Sequence, residues 1–470
     1  MGPLLLAGVL FVVYGGGYVG LDAMWSIVWG RDIVHAAPLA VSQTTTPHVL
    51  SNLLGAVLTP LGSDADHGLV AVAFLAAGGL VWVSGLLARQ IAGTTVGVCA
   101  GLLVAVRESL LFATTSAFLD VFVALFVLWA ALLVVRRGVD RPGAAGALLL
   151  LAGLLRPEPW VLAAALWVWR WRRGHGFGPA QLLSVVAAPA AWLAVDAAFS
   201  GDALFSIHTT QRIGALIRAG DHISDSLAHR VIDAPKNIAH ATGVELFVLA
   251  VLAAAVLLWP RAARLPGLRL AVPAPERREP LLVLLWGALL YSAVIVVEAL
   301  DGGLIYTRFA LPVMAVVVVT ITVLAATVAG AARDAGRTPA GRWILPGTVA
   351  VLLVIQLPLM ISARTTTSHE HDRYDAARAA LRDVVRCLPA VTPNTNFRAY
   401  VAAWNDLRGD EVIDGASHPV PPLGTYVTAT TPQASLMLRD AVFPQRAMLP
   451  PAPVVRASGG WLVTSRCPAR

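Results

Sequence analysis

The chain has 470 residues, 57% hydrophobic and 13% charged, with a net charge of +7 and a mean hydropathy of +0.71. So apolar a composition excludes a water-soluble domain. The arginines that make up the charge sit at the ends of apolar runs and form no basic face interleaved with aromatics, which excludes a nucleic-acid partner.

Apolar runs long enough to cross hydrocarbon of roughly 30 Å recur along the first three quarters of the sequence. They predict membrane segments near 3–20, 68–88, 94–106, 116–135, 144–155, 159–170, 181–199, 242–260, 281–299, 309–331 and 343–362. The pair at 144–155 and 159–170 is short and broken by Pro157 and Pro159, as expected of segments covered by protein instead of lipid. Gly16 and Gly20, four apart, suit close packing of the first helix, and Gly15, Gly17 and Gly20 match a dinucleotide fingerprint only by chance, since no βαβ unit surrounds them.

Arginine clusters mark alternate loops: Arg136, Arg137 and Arg141; Arg170, Arg172 and Arg173; Arg261, Arg264, Arg269, Arg277 and Arg278; Arg333, Arg337 and Arg342. By the positive-inside rule these loops and the N-terminus are cytoplasmic, and 21–67, 200–241, 300–308 and 364–470 face outward. The alanine, valine and arginine bias, with Lys236 the lone lysine, points to a bacterial cell (inner) membrane. The expected architecture is a polytopic α-helical protein of about eleven membrane segments over 1–363, with interfacial helices in a first outer loop (21–67), and a small extracytoplasmic α/β domain over 364–470.

In that last domain, 371–387 reads as an amphipathic helix with Tyr374, Ala377, Leu381, Val384 and Val385 on its apolar side. Strand-like runs follow at 397–403, 425–429, 453–457 and 461–464. Cys387 and Cys467 both fall there, and an even pair in an oxidising compartment predicts a disulfide.

Charged groups that lipid does not tolerate are functional candidates. Asp22 follows the first span, and Trp25, Ile27, Val28 and Trp29 behind it fit an interfacial helix. Asp120 opens the fourth span, Arg107 and Glu108 precede it, Arg156 and Glu158 flank Pro157, and Arg308 opens the tenth span. Arg308 is a donor fork suited to a phosphate oxygen, and His48 is a further phosphate candidate. No cofactor is expected. A divalent ion is left open, with His369 and His371 too few to fix one.

These residues resemble the motifs of the GT-C glycosyltransferases, in particular the branch like the protein O-mannosyltransferases and aminoarabinose transferases. Asp22 stands where that family keeps its catalytic acid, and Thr46-Pro47-His48-Val49-Leu50 is similar to its His-Pro-Pro-Leu type motif with a valine for the second proline. Phe118-Leu119-Asp120 resembles its second aspartate motif, and Tyr306-Thr307-Arg308-Phe309-Ala310-Leu311-Pro312 its Tyr-x-Arg-Tyr-x-Leu-Pro motif. The family's adjacent Asp-Glu is here Asp22-Ala23. The resemblance implies catalytic roles for Asp22 and Asp120 and substrate-binding roles for His48 and Arg308; Arg107, Glu108, Arg156 and Glu158 are substrate-binding candidates only as charges at the ends of apolar runs, with an Arg156–Glu158 ion pair as the structural alternative. The reaction it implies is inverting transfer of a sugar from a polyprenyl-phosphate donor to an envelope glycan or glycolipid, with Asp22 as general base. A transporter or lipid flippase is the alternative; it predicts internal repeats, and none is visible.

Overall fold

The structure is a computed structural model that describes residues 1–39, 46–137, 143–175, 178–220, 226–258, 273–334, 338–394, 397–416, 418–438 and 449–468. Arg141, Arg261, Arg264, Arg269 and Arg337 of the expected cytoplasmic clusters lie outside these residues. The helices are α1 (Gly2–Tyr14), α2 (Leu21–Val34), α3 (Val49–Leu58), α4 (Ala65–Ala92), α5 (Thr94–Ala105), α6 (Glu108–Thr115), α7 (Asp120–Arg137), α8 (Gly143–Gly153) and α9 (Pro159–Arg172). They continue with α10 (Pro179–Ser200), α11 (Phe205–Gly220), α12 (Leu227–Thr242), α13 (Val244–Leu258), α14 (Pro275–Leu300), α15 (Leu311–Asp334), α16 (Thr338–Leu381), α17 (Arg398–Trp404) and α18 (Pro432–Leu438).

Each predicted membrane segment overlaps a helix. By length and apolarity, five helical stretches among the described residues suffice to cross a membrane, or up to seven if each bent pair counts as one span. The protein is therefore a multi-pass membrane protein. The bent pairs are α5 with α6, at 59°, and α12 with α13, at 103°.

The first span differs from expectation. Helix α1 stops at Tyr14 because Gly15 takes a left-handed conformation, φ 86°, and its N–H closes on the Phe11 carbonyl. Gly16 and Gly20 consequently lie beyond α1 and do not pack that helix; they let other groups approach, a Cβ on Gly16 standing 3.1 Å from the His371 ring and one on Gly20 2.9 Å from the Phe118 ring. Close packing falls to Gly30 and Gly55 instead: a Cβ on Gly55 would stand 1.9 Å from the Ser26 carbonyl oxygen, so α2 and α3 touch backbone to backbone.

Trp25, Ile27, Val28 and Trp29, expected at the interface, are all at most 1% exposed. Helices α3 and α17 cover them, and the Arg398 guanidinium lies 5.8 Å over the Trp25 ring. The apolar stripe of α2 thus packs on protein, because the C-terminal segment folds back onto it.

Five strands form one sheet: β1 (Ala390–Thr392), β2 (Val412–Asp414), β3 (Gly424–Ala429), β4 (Val454–Ser458) and β5 (Trp461–Arg466), in the order β2-β1-β3-β5-β4. Strands β1 and β2, and β1 and β3, are parallel; β3 and β5, and β5 and β4, are antiparallel. The runs at 425–429, 453–457 and 461–464 are strands. The run at 397–403 is not: Arg398–Trp404 is helix α17, and Phe397, Tyr400 and Trp404 follow helical spacing onto one aromatic cluster with Tyr374 and Trp461. Every residue of α17 is buried, so no polar alternation was available to separate the two periods.

The amphipathic helix expected at 371–387 is the end of α16, which runs 44 residues without a break through position 363. It ends at Leu381, where Asn405 donates to the Leu381 carbonyl at 2.9 Å and accepts from the Val384 N–H at 2.8 Å. A Cys387–Cys467 disulfide, Cα to Cα 5.6 Å, ties this point to the end of β5.

Candidate functional site: an acid–guanidinium cluster beside a cavity

After Gly16 the chain runs extended along the turn that follows α6, with the Tyr18 N–H on the Thr115 carbonyl at 2.7 Å and the Gly20 N–H on the Ser116 carbonyl at 2.9 Å. Those two bonds fix where α2 begins. Asp22 sits in the first turn of α2, next to the turn 116–119 that leads into Asp120 at the start of α7. Gly20 holds the N-cap position and Asp22 caps nothing.

Arg308 comes from a single 3-10 turn, Thr307–Ala310, that joins directly to α15. Its Nη2 donates to Asp22 Oδ2, and its Nε lies 3.3 Å from Asp120 Oδ2. Asp120 Oδ1 in turn accepts from Arg156 Nη1 at 3.3 Å. Arg156 also donates from Nε to Glu158 Oε1 at 2.8 Å and approaches Glu298 at 4.0 Å. The two guanidiniums stack on aromatic faces, Arg308 3.8 Å over Phe118 and Arg156 3.4 Å over Phe309. Acid and base thus alternate from Asp22 through Arg308, Asp120 and Arg156 to Glu158, with Glu298 at the edge.

The two ends of this chain differ in exposure. Asp22 is 34% exposed, Arg308 and Asp120 are each 10%, and Glu158 is fully buried. The open end is a cavity of about 260 Å³ whose wall includes Asp22, Arg308, Glu108 and His240. Four carboxylates face two guanidiniums here, so neither arginine lacks a counter-charge and each is held in one orientation.

The other expected residues fall in different places. His48 precedes α3, edge-on to Trp192 with ring centroids 5.1 Å apart, and feels the charges of Arg156, Asp120, Asp22 and Arg308. Arg107 is 1% exposed and turned away from the cavity: it donates to the Thr242 carbonyl and, at 3.1 Å, to Glu245. Since Arg107 caps α6 and Thr242 ends α12, one guanidinium ties the two helix bends together. Glu108, the next residue, points into the cavity.

Glu298 and His240 were not singled out from sequence. Glu298 carried a readable signal, a lone carboxylate closing the apolar run Ile295-Val296-Val297. His240 carried none, because only the α12–α13 bend brings it to Asp22.

Asp64, Asp66 and His67 gather potential metal-ligating atoms within 4.8 Å of one another. Arg378 and Arg382 already bond these carboxylates, at 2.8 Å to Asp66 and 2.9 Å to Asp64, so the group serves to hold α16 to α4. His371 pairs with Asp375 at 3.4 Å.

The bundle of membrane helices with a small C-terminal sheet is a fold shared with a solved structure. The structure of ArnT from Cupriavidus metallidurans bound to undecaprenyl phosphate matches over 98% of this chain and 97% of its own, with a TM-score of 0.60 and 14% identity. Two structures of the Archaeoglobus fulgidus oligosaccharyltransferase, one with zinc and sulfate and one, AglB, with an inhibitory peptide and a dolichol-phosphate, overlap too little to carry any inference. Both are 13% identical and cover 86% of this chain against 62% and 63% of theirs, with TM-scores of 0.46 and 0.45. No protein-family model and no curated protein sequence matches the chain.

Proposed function

We propose that the protein is a membrane glycosyltransferase that moves a sugar from a polyprenyl-phosphate donor to a hydroxyl of an envelope glycan or glycolipid. The observation that carries this reading is the meeting of Asp22 and Arg308, from separate elements, at the wall of one cavity, with Asp120 behind them on the far side of Arg308. A fold shared with a protein solved with undecaprenyl phosphate supports it.

In this reading Asp22, the most exposed acid of the cluster, takes the proton of the acceptor hydroxyl. The acceptor oxygen bonds to the anomeric carbon as the bond from that carbon to the phosphate oxygen breaks. Its electron pair leaves with the polyprenyl phosphate, and attack from the face opposite the leaving group inverts the anomeric centre. Arg308 faces the leaving group and meets the charge that develops on it. Asp120 positions Arg308 from the far side, and Arg156 with Glu158 positions Asp120. His48 lies beside these charges as a further contact for the phosphate. The site lies on the extracytoplasmic side of a bacterial cell membrane and the N-terminus is cytoplasmic.

Replacement Asp22→Asn keeps the shape and removes the base, and transfer from a polyprenyl-phosphate sugar in proteoliposomes should fall by on the order of 10² to 10⁴. Full transfer by Asp22→Asn, at wild-type protein levels, would end the proposal.

A further inference from the structure

The cavity beside Asp22 has a wall that proton removal and phosphate binding alone do not require. Glu108, in the first turn of α6, directs a half-buried carboxylate into it and accepts no hydrogen bond among the described residues. His240, in the last turn of α12, faces the same space. Phe112 and Tyr306 also line it and leave 42% and 40% of their surfaces uncovered.

Its volume of about 260 Å³ lies just below the usual range of small-ligand pockets, roughly 300–1,000 Å³, and suits one sugar ring better than an oligosaccharide. Aromatic surface pairs with the C–H face of such a ring. An ionised carboxylate is an acceptor only, so it is answered by hydroxyl donors, and a histidine serves a hydroxyl in either direction. The charge of the wall is equally selective. Asp22 and Glu108 face the space, whereas Arg308, the guanidinium that borders it, is already paired with Asp22 and Asp120. A carboxylate on the incoming sugar would meet two like charges, and Arg308 is engaged by Asp22, Asp120 and, in the proposed reaction, the leaving phosphate.

We infer that this cavity is the glycosyl subsite, that it takes a neutral, hydroxyl-rich sugar and rejects a uronic acid, and that Glu108 and His240 set this preference. The inference rests on the proposed reaction and deepens it.

The test uses the full chain in nanodiscs. Binding is measured for bare polyprenyl phosphate, for its glucosyl, mannosyl and arabinosyl forms, and for its glucuronosyl form. Wild type should bind the best neutral donor at least about tenfold more tightly than the glucuronosyl donor, and Glu108→Gln should close most of that gap. His240→Ala, at an exposed position, should weaken neutral donors and leave bare polyprenyl phosphate unchanged. Equal binding of neutral and acidic donors by wild type, or a preference untouched in both variants, overturns the subsite while binding of the bare lipid keeps the proposed function standing. Failure of wild type to bind the bare lipid or any donor overturns both.

Discussion

At the scale of single residues, ionisable groups inside an apolar chain are costly, and the cluster here meets that cost by alternating sign. Asp22, Asp120, Arg156, Glu158 and Arg308 were legible because each is a charge at the end of an apolar run. That they meet was not legible, since up to 286 positions separate Asp22 from Arg308 and no local pattern encodes the contact. Replacing Arg308 by alanine leaves Asp22 and Asp120 facing each other without a shared cation. Transfer should then fall by on the order of 10² or more, with weaker binding of bare polyprenyl phosphate as a separate readout. Lysine at 308 should recover only part of it, because a point charge does not reproduce the fork.

Asp32, outside the membrane spans, gives a second residue-scale test. Burial pushes its carboxyl up to about 6, against a hydrogen bond from the Gly409 N–H that acts the other way; Asp410 raises it further, and Arg31 and Arg408 lower it. A raised value means that the folded protein holds the proton more tightly than the unfolded chain. The packing of α2 against the 408–411 turn is therefore favoured in acid, and that contribution is lost as pH rises through about 6. Asp32→Asn should flatten this part of the dependence of thermal stability on pH between about 4 and 7.

At the scale of elements, hydropathy located apolar helices, because in lipid every backbone group must be satisfied within the helix, but against eleven predicted segments only five to seven spans among the described residues are long and apolar enough to cross. It failed in two places for two physical reasons. The first helix was drawn six residues too long, since Tyr18 and Val19 are apolar but make their contacts in extended backbone. Helix α17 was taken for a strand, since a short segment buried on all sides shows neither period clearly. The bends at α5–α6 and α12–α13 were also invisible as partners. Arg107 joins them, and Arg107→Ala, which removes the donor to the Thr242 carbonyl and leaves Glu245 with Gln356 as its partner, should cost about 3 kcal/mol of stability in detergent. Transfer should decline in step, because Glu108 and His240 sit on either side of that joint.

At the scale of the whole molecule, the C-terminal sheet is fastened to the bundle at two points far apart in sequence. Asp66 accepts from Tyr374 at 2.6 Å, Arg378 at 2.8 Å and Trp404 at 3.3 Å, while Arg31 donates to the carbonyls of Ala402 and Leu407 at 3.1 and 2.7 Å. The helices of this plan were readable from composition; the docking was not, because the groups that make it are ordinary surface residues until the sheet folds back. The Cys387–Cys467 disulfide closes a loop of 80 residues, and Cys387→Ser should lower the stability of the sheet by about 4 kcal/mol or somewhat less. Limited proteolysis after residue 390 would report it.

Helix α16 carries the chain from its last crossing into the sheet with neither glycine nor proline between Pro358 and Leu381. At 1.5 Å per residue its 44 residues form a mast of about 66 Å. The stretch between Pro358 and Leu381 offers no glycine or proline at which the sheet could swing, and the contacts of Asp66 and Arg31 pin it at its foot. The opening beside Asp22 is bordered instead by Glu108, His240 and Tyr306, none of which belongs to the sheet.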